Sequence, residues 1–245
     1  AIMLDKCGIS STVIERAAIP EEWSSRSYTI SIGDRGAKAL QDAGVWDAFH
    51  KSAAIERSAL YITTGEGKRM TLPQNPVRNG TSRPLLVKCL EKIAKDSTRI
   101  TVRNGLQVVQ VSNYNDSEEE YLQVELSDGT QHSCTHIVAA DGKWSPVRNS
   151  IPEFADQFTI VTEPSWGVHI TVETTGIWSS DGNHIFKPKT PGMPMAVMCS
   201  PVPTGETCIS VICYQAVLET YPFLAPPDDS SAIAVTDWLM EGNTS

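Results

Sequence analysis

The first fifteen residues of the chain place the strongest constraint on its fold. Ala1 to Lys6 are helix-forming residues, and Gly8 follows at the position of a left-handed helix cap. Ile9 to Glu15 then carries a β-branched run that ends in an acidic side chain, which predicts a buried strand. Helix, glycine, strand and terminal glutamate are typical of the second half of a βαβ unit, so we expect an α/β fold.

Glu15 also bears on ligand binding. In a dinucleotide-binding βαβ unit, a glycine-rich phosphate loop lies about 20 residues before an acidic residue that bonds a ribose hydroxyl. Counting back from Glu15 places such a loop before Ala1, so we expect the first strand and its loop to lie outside this sequence. The alternative is that Glu15 is a solvated strand end with no ligand.

Composition excludes several classes of protein. The 245 residues are 40% hydrophobic and 20% charged, which is typical of a globular chain rather than a disordered or fibrous one. A net charge of -9 with scattered basic residues argues against nucleic-acid binding. No run of about 18 apolar residues and no signal-peptide pattern occur, so we expect no membrane segment and an intracellular location, cytoplasmic or organelle-associated. Six cysteines without a C-x-x-C pair indicate buried thiols rather than a zinc site.

Further elements follow along the chain. Apolar spacing predicts helices over Gly36–Phe49 and Arg83–Lys95, and a hairpin whose strands, Ala59–Thr64 and Arg69–Leu72, flank Gly65-Glu66-Gly67. A strand meander is expected over Ile100–Val111, Tyr121–Leu126 and Thr130–Ile137. The apolar run His136–Ala140, which ends at Asp141-Gly142, predicts a strand buried on both faces. Beyond Pro152 the chain is β-rich, with expected strands at Thr159–Val161, Gly167–Val172, His184–Phe186, Met195–Cys199 and Thr207–Tyr214 and a last helix at Ser230–Met240.

Several of these segments together resemble a known family. They are Val13-Ile14-Glu15-Arg16, Arg26 to Ile32 followed by Asp34-Arg35-Gly36, Arg83 at the start of its helix, and Ala140 to Arg148, which contains the pattern D-G-x-x-S-x-V-R. In order and spacing they resemble the aromatic-hydroxylase class of FAD-dependent monooxygenases, most closely its kynurenine 3-monooxygenase branch. The resemblance continues through Trp166-Gly167 and His184 to Pro188, so it covers nearly the whole chain.

The resemblance implies an FAD site made of six residues: Glu15, Arg16, Arg26, Arg83, Asp141 and Gly142. Glu15 would accept hydrogen bonds from the adenosine ribose hydroxyls, and Arg16 and Arg26 would lie near the ribose or pyrophosphate. Arg83 would contact the flavin. Asp141 and Gly142 would form a second fingerprint, where glycine lets the backbone approach the cofactor.

Two positions depart from the kynurenine branch. Aligning the hairpin places Leu60 where the branch has a carboxylate-binding arginine, and Gln74 where it has a tyrosine. A leucine cannot pair with a carboxylate, and glutamine offers only a neutral amide. Arg57 or Arg69 remain open as substitutes, although a strand residue displaced by an odd number of positions faces the other side. Kynurenine itself is therefore not the expected substrate.

The aromatic residues and His184 are interpreted as structural. Trp144, Trp166 and Trp178 could line an aromatic pocket, but large rings of this kind are more often used in packing. His184 precedes an apolar strand and is expected to be a hydrogen-bonded structural histidine rather than an acid or base.

The resemblance also implies a domain arrangement. An incomplete FAD/NAD(P)-binding Rossmann-like domain, formed by residues 1–55 and 80–152, would be interleaved with a β-rich substrate domain formed by 56–79 and 153–245. The glycine-rich loop and a later Gly-Asp segment of the family are not found in the sequence. We therefore expect an interior fragment of a longer flavoprotein that retains FAD weakly or not at all by itself.

The function implied is NAD(P)H- and FAD-dependent hydroxylation of a small aromatic substrate by O2. The flavin would supply the redox chemistry, which explains why no catalytic triad or carboxylate pair is needed. Two alternatives stay open. One is a flavin oxidoreductase of the same fold that inserts no oxygen, and the other is a truncated, non-catalytic fragment.

Overall fold

The computed structural model describes residues 1–18, 28–116, 119–142, 145–150, 165–173, 178–187, 189, 195–214 and 219–220. Its helices are α1 (Ile2–Lys6), α2 (Asp34–Asp42), α3 (Trp46–Ser52), α4 (Arg83–Asp96) and α5 (Pro146–Asn149). Its strands are β1 (Ser11–Glu15), β2 (Thr29–Ile32), β3 (Ile55–Thr63), β4 (Arg69–Ser82), β5 (Ile100–Asn104), β6 (Val108–Asp116), β7 (Glu119–Leu126), β8 (Gln131–Cys134), β9 (Ser165–Glu173), β10 (Gly182–Phe186), β11 (Met195–Pro201) and β12 (Glu206–Tyr214). The predicted α/β class is confirmed.

The chain divides into two compact units. The first contains Ala1–Glu22 and Ala94–Thr162, and the second contains Trp23–Ile93 and Glu163–Ser245. The domain division expected from the sequence differs, because it groups residues 23–55 and 80–93 with the cofactor domain, whereas here they lie in the unit that contains the hairpin. The assignment of cofactor and substrate roles to these units stays a prediction.

The first unit has a parallel and an antiparallel part. In its described residues, β1 pairs in parallel with β5, and β6, β7 and β8 form an antiparallel sheet in that order. Gly8, with φ of 77°, follows α1 as predicted. The predicted strand Ile100–Val111 is split in two, because Gly105 takes a φ of 75° between β5 and β6.

A buried apolar cluster holds this unit together. Val111, Val124, Leu126 and Val147 form its centre. Ile14 of β1 packs against it together with other half-buried apolar residues, namely Leu106, Val108, Leu122, Cys134 and Ile137. The cluster therefore joins the end of β1 to the antiparallel sheet and to α5.

The strand predicted over His136–Ala140 is wrong for this structure. β8 ends at Cys134, the backbone from residue 136 to 140 is not in a strand, and Val138 is 79% exposed. A strand buried on both faces needs partner strands for its backbone groups and side chains. None of the described strands pairs with this apolar segment.

The second unit is built on one mixed sheet. Across the described residues its strand order is β2-β4-β3-β10-β11-β12-β9, with β10 parallel to β3 and the other pairs antiparallel. The predicted hairpin is confirmed, and Gly67 takes a φ of 81° in its turn. β4 runs well beyond the predicted Leu72, to Ser82. The strand predicted at Thr159–Val161 and the helix at Ser230–Met240 lie outside the described residues.

The helices of the second unit differ in one respect from expectation. The predicted helix Gly36–Phe49 is two helices, α2 and α3, separated at Gly44, whose φ is 71°. Leu40, Val45 and Phe49 are buried. The predicted Arg83 helix is confirmed as α4, which at 14 residues is the longest helix described.

None of the described helices is long and apolar enough to cross a membrane.

The cysteines are less uniformly buried than predicted. Cys199 and Cys208 are buried, as expected for thiols in apolar strands. Cys89 and Cys134 are half-buried, and Cys7 is exposed because it follows the last turn of α1. The expectation of buried thiols is therefore wrong for Cys7.

A buried arginine ties three parts of the mixed sheet together. Arg57 of β3 is 1% exposed, and its guanidinium donates to Ser31 Oγ of β2 at 3.2 Å and to the Pro201 carbonyl of β11 at 2.6 Å. The guanidinium lies directly over Gly80 of β4, where a Cβ atom would overlap its Cζ and Nε. Burial lowers the pKa of Arg57 to about 10, which leaves the group positive at pH 7. Glycine is therefore favoured at position 80 by the space that the guanidinium occupies, not by backbone conformation.

We predict that Gly80→Ala lowers the free energy of unfolding by about 1–3 kcal/mol, because the new methyl group would displace the buried guanidinium. Urea unfolding followed by circular dichroism measures the change. Gly33→Ala is the matched control, since a Cβ at position 33 meets no atom within 4 Å. Equal stability of the two variants would contradict the packing described for Arg57.

Candidate functional site

Glu15 lies where the sequence places it, at the end of a parallel strand. It is opposite Asn104 in the β1–β5 pair, at the carboxyl edge where α/β sheets bind ligands. Its Oε1 accepts a hydrogen bond from the backbone N–H of Ala17 at 2.9 Å. Among the described residues no donor contacts its Oε2, and Arg16 beside it is exposed. A carboxylate oxygen and a guanidinium are therefore available at this strand end for a ligand with hydroxyl and anionic groups.

Asp141 and Gly142 have roles within the protein itself. Asp141 Oδ2 accepts a hydrogen bond from the Val147 N–H at 3.2 Å, and Ser145 Oγ accepts one from the Arg148 N–H at 3.0 Å. Together they satisfy backbone donors at the start of α5. Gly142 has a φ of 82°, a conformation that side chains rarely adopt.

The turn and the strand end share one core. Val147, whose N–H is held by Asp141, belongs to the buried cluster against which Ile14 packs, and Ile14 immediately precedes Glu15. The first unit thus brings four of the six predicted cofactor residues onto elements that flank a common core: Glu15, Arg16, Asp141 and Gly142.

The other two predicted residues do not belong to this group. Arg83 lies in the second unit, is exposed, and is the first residue of α4 as predicted. Its backbone N–H donates to the Tyr28 carbonyl at 3.4 Å, which fixes the start of the helix beside β2. Arg26 lies outside the described residues.

A large bulge interrupts the β3–β4 hairpin. Ala59 pairs with Pro73, but the next pair is Arg57 with Arg78, so Ser58 alone faces residues 74–77. Pro73 and Pro76 have no N–H to offer to the ladder, which favours leaving the regular sheet at this point. The Ser58 N–H bonds instead to the Asp181 carbonyl at 2.8 Å.

The bulge forms a cleft in the second unit. The cleft encloses about 360 Å³ and is lined by polar groups and prolines: Ser31, Pro73, Gln74, Asn75, Pro76, Arg78 and Asn183. Gln74 Oε1 and Asn183 Oδ1 are buried and have no hydrogen-bond partner among the residues that the structure describes. Buried amide oxygens that accept nothing lose their hydration without replacement. The cleft therefore contains two hydrogen-bond acceptors that the described residues leave unpaired.

The two arginines left open as substitutes for the one missing at Leu60 both lie away from the cleft. Leu60 pairs with Leu72 on one side and with Asn183 on the other side in the sheet. Arg57 is held by its contacts with β2 and β11, and the Arg69 guanidinium stacks 4.5 Å from the Tyr61 ring centroid. Neither lines the cleft.

Arg78 lines the cleft, and the sequence reasoning missed it. It is separated from Leu72 by the bulge, and the sequence offers no measure of how many residues loop out. Pro73 and Pro76 were the available signal that the strand would be interrupted.

His184 is structural, as the sequence suggests. Its Nε2–H donates to the Ser179 carbonyl at 3.0 Å, and its ring stacks on Tyr61 with centroids 4.7 Å apart. Trp178 packs against it at 6.2 Å. Burial lowers the pKa of His184, against a smaller opposing effect from the hydrogen bond to Ser179. For Trp178 the packing role is confirmed, whereas Trp144 and the side chain of Trp166 lie outside the described parts.

Asp181 is bonded to the same stack. The Tyr61 hydroxyl donates to its two carboxylate oxygens at 3.0 and 3.2 Å, and Ser179 Oγ also donates to it. The hydrogen bonds from Ser179 and Tyr61 lower the pKa of Asp181. Tyr61, His184 and Asp181 therefore each have a hydrogen-bond partner, in contrast to the buried amide oxygens of Gln74 and Asn183.

Comparison with known proteins identifies the family. Residues 1–220 match a protein family described as "FAD binding domain". The chain belongs to this family. A search of curated proteins finds no match. FAD is the cofactor that the family assignment supports, and the carboxylate at the end of β1 fits the hydroxyl groups of its ribose.

Solved structures share the fold of this FAD-binding family member. PqsL of P. aeruginosa in complex with 2-aminobenzoylacetate is 17% identical with a TM-score of 0.68, and the match covers 97% of this chain and 66% of PqsL. A point variant of HpxO of Klebsiella pneumoniae complexed with FAD is 19% identical with a TM-score of 0.68, over 96% of this chain and 62% of HpxO. Tetrameric 2-methyl-3-hydroxypyridine-5-carboxylic acid oxygenase is 17% identical with a TM-score of 0.64, over 94% and 63%. The chain thus spans less than two thirds of the length of these structures.

We predict that His184→Gln flattens the pH dependence of stability on the acid side of neutrality. Because the folded-state pKa of His184 is lowered, the unfolded chain takes up its proton first, and the wild-type protein loses stability as pH falls below about 6.5. Urea unfolding at about pH 7.5 and pH 5.5, on either side of that ordinary pKa, measures the difference. His136→Gln removes an exposed histidine as a control, and a wild-type pH slope in His184→Gln would contradict the prediction.

Proposed function

We propose that the protein acts as an FAD-dependent, NAD(P)H-using monooxygenase that hydroxylates a small aromatic substrate with O2. The observation that carries the proposal is the match of residues 1–220 to the FAD-binding domain family. It is supported by the shared fold with an oxygenase of a hydroxypyridine carboxylic acid and with an FAD-complexed protein. The resemblance to the kynurenine 3-monooxygenase branch concerns this reaction type and not kynurenine itself, because Leu60 cannot bind its carboxylate.

The cofactor would be held by the residues that the sequence identified. Glu15 Oε2 would accept from the adenosine ribose, and Arg16 would offset negative charge nearby. Arg26, Arg83, Asp141 and Gly142 complete the proposed set. Bound FAD would supply electron transfer from NAD(P)H and activation of O2, chemistry that side chains do not provide.

The protein's own part would be to bind and orient the substrate. The mixed sheet of the second unit would carry the substrate site, with the polar cleft at the β4 bulge fixing one end of the molecule. Leu60, Leu72 and Met70 would provide apolar surface on the same strands. Exclusion of water by such surface favours oxygen transfer over wasteful side reactions.

We predict that product formed under ¹⁸O2 carries one labelled oxygen atom. The experiment uses the FAD-loaded full-length flavoprotein with NADH or NADPH and a panel of small aromatic substrates, with mass spectrometry of the products. Incubation in H2¹⁸O under unlabelled O2 is the control and should give unlabelled product. Substrate turnover without label from O2 would contradict the monooxygenase assignment and favour a flavin oxidoreductase that inserts no oxygen.

We predict that Glu15→Ala weakens FAD binding by about tenfold or more, because hydrogen bonds to a charged acceptor contribute about 1.5–3 kcal/mol. Quenching of FAD fluorescence during titration into the purified full-length protein measures the affinity. Glu125→Ala is the control, since Glu125 lies in β7 of the same unit and not at a parallel strand end. A colourless full-length wild-type protein that takes up no added FAD would favour the non-catalytic alternative.

A further inference from the structure

Two arginines face each other across the β3–β4 ladder. Arg57 and Arg78 are directly paired in register, which puts their Cβ atoms roughly 4.5–5.5 Å apart on one face of the sheet. Like charges directly opposite each other destabilise a sheet. An acidic partner or a bound anion would offset this repulsion.

No acidic side chain supplies that partner among the described residues. Within the described part of the chain, Arg57 is bonded only to a hydroxyl and a backbone carbonyl, its Nε is buried without an acceptor, and no ion pair involves Arg78. Arg78 is exposed and lines the cleft. A buried charge without a counter-charge is costly, so an anion in the cleft would recover part of this cost.

Ser31 connects the buried arginine to the cleft. Its Oγ accepts from Arg57 Nη1, and Ser31 is itself part of the cleft lining. Since that hydroxyl already accepts a hydrogen bond, its own proton is left to donate to a ligand. Arg57 thus polarises the hydroxyl of a residue that lines the same cleft as Arg78.

The amide side chains of Gln74 and Asn183 provide a second, independent argument for a ligand in the cleft. Gln74 Oε1 and Asn183 Oδ1 are buried without a partner in the described part of the chain, and Asn183 is only 7% exposed. A ligand with a hydrogen-bond donor would satisfy these acceptors and offset their lost hydration. The volume of about 360 Å³ falls within the roughly 300–1,000 Å³ of small-molecule sites.

We propose that the cleft at the β4 bulge is a carboxylate site in which Arg78 binds the anionic group of the substrate, Ser31 donates to it, and Gln74 and Asn183 accept from an adjacent hydroxyl or amino group. The identification of the ligand as the substrate rests on the proposed function. The site itself is defined by its own residues. In this site Arg78 supplies the positive charge that determines specificity, which the leucine at position 60 cannot supply. The ligand class is a small aromatic carboxylate that carries a hydrogen-bond donor.

Isothermal titration of the purified protein, with and without FAD, tests the site. The probes are 2-hydroxybenzoate, benzoate and 2-hydroxybenzamide, which present anion with donor, anion alone, and donor without anion. We expect the wild-type protein to bind 2-hydroxybenzoate most tightly. Arg78→Gln should weaken binding of both acids by about tenfold or more while leaving the affinity for 2-hydroxybenzamide within about twofold.

Two further variants separate charge from folding. Arg78→Lys keeps the charge and should restore part of the acid affinity, because lysine pairs with a carboxylate as a point charge. Arg69→Gln removes an exposed arginine of the same strand that stacks on Tyr61 and does not line the cleft, so it should bind all probes like the wild type. Circular dichroism confirms that each variant is folded.

Several results would overturn the proposal. They are equal affinity of the wild type for 2-hydroxybenzoate and 2-hydroxybenzamide, unchanged acid binding in Arg78→Gln, absence of acid binding to the wild type, and displacement of 2-hydroxybenzoate by inorganic phosphate at lower concentration. Because titration requires no turnover, acid binding that depends on Arg78 would survive a failure of the ¹⁸O2 experiment. Conversely, labelled product with no effect of Arg78→Gln on acid affinity would retain the enzyme and reject the site.

Discussion

The buried guanidinium of Arg57 organises the sheet that carries the proposed substrate site. It reaches Ser31 on β2 and Pro201 on β11 from a position in β3, and it occupies the space over Gly80 of β4. Four strands therefore depend on one side chain whose pKa is lowered by burial but which stays charged at neutral pH. An apolar residue of similar size could fill this volume, yet it could not hold the Ser31 hydroxyl or place positive charge behind the cleft.

The two faces of the second unit differ in how their polar groups are satisfied. Tyr61, His184 and Asp181 each have a hydrogen-bond partner, and the rings of Tyr61 and His184 stack on each other. At the bulge, Gln74 and Asn183 have buried oxygens with no partner in the described part of the protein. Since native proteins leave few buried polar atoms unpaired, an unsatisfied pair beside an exposed arginine favours a binding role for the bulge and a structural role for the stack.

Local patterns in the sequence predicted much of this structure, and long-range pairing explains what they missed. Gly8, the Gly67 turn and α4 are set by neighbouring residues, so composition and spacing located them. The bulge depends on how β4 pairs with β3, and the Arg57–Arg78 pairing arises only across that ladder. The predicted strand over His136–Ala140 failed for a similar reason. Its apolar run is consistent with burial, but a strand forms only where another strand accepts its hydrogen bonds.

Asp141 and Gly142 show why a motif by itself does not assign a cofactor residue. The carboxylate holds the Val147 N–H at the start of α5, and the glycine is required by its positive φ, so both residues would be needed in this turn without any ligand. Glu15 is different, because its backbone pairing places it at the strand end while Oε2 contributes nothing to the described fold. Loss of FAD binding in an Asp141 variant would therefore include the effect of a weakened helix start, whereas a Glu15 variant loses one local hydrogen bond, from the Ala17 N–H, besides the Oε2 that is open to a ligand. The proposed contact between FAD and the first unit consequently depends more on the strand-end carboxylate than on the Asp-Gly motif.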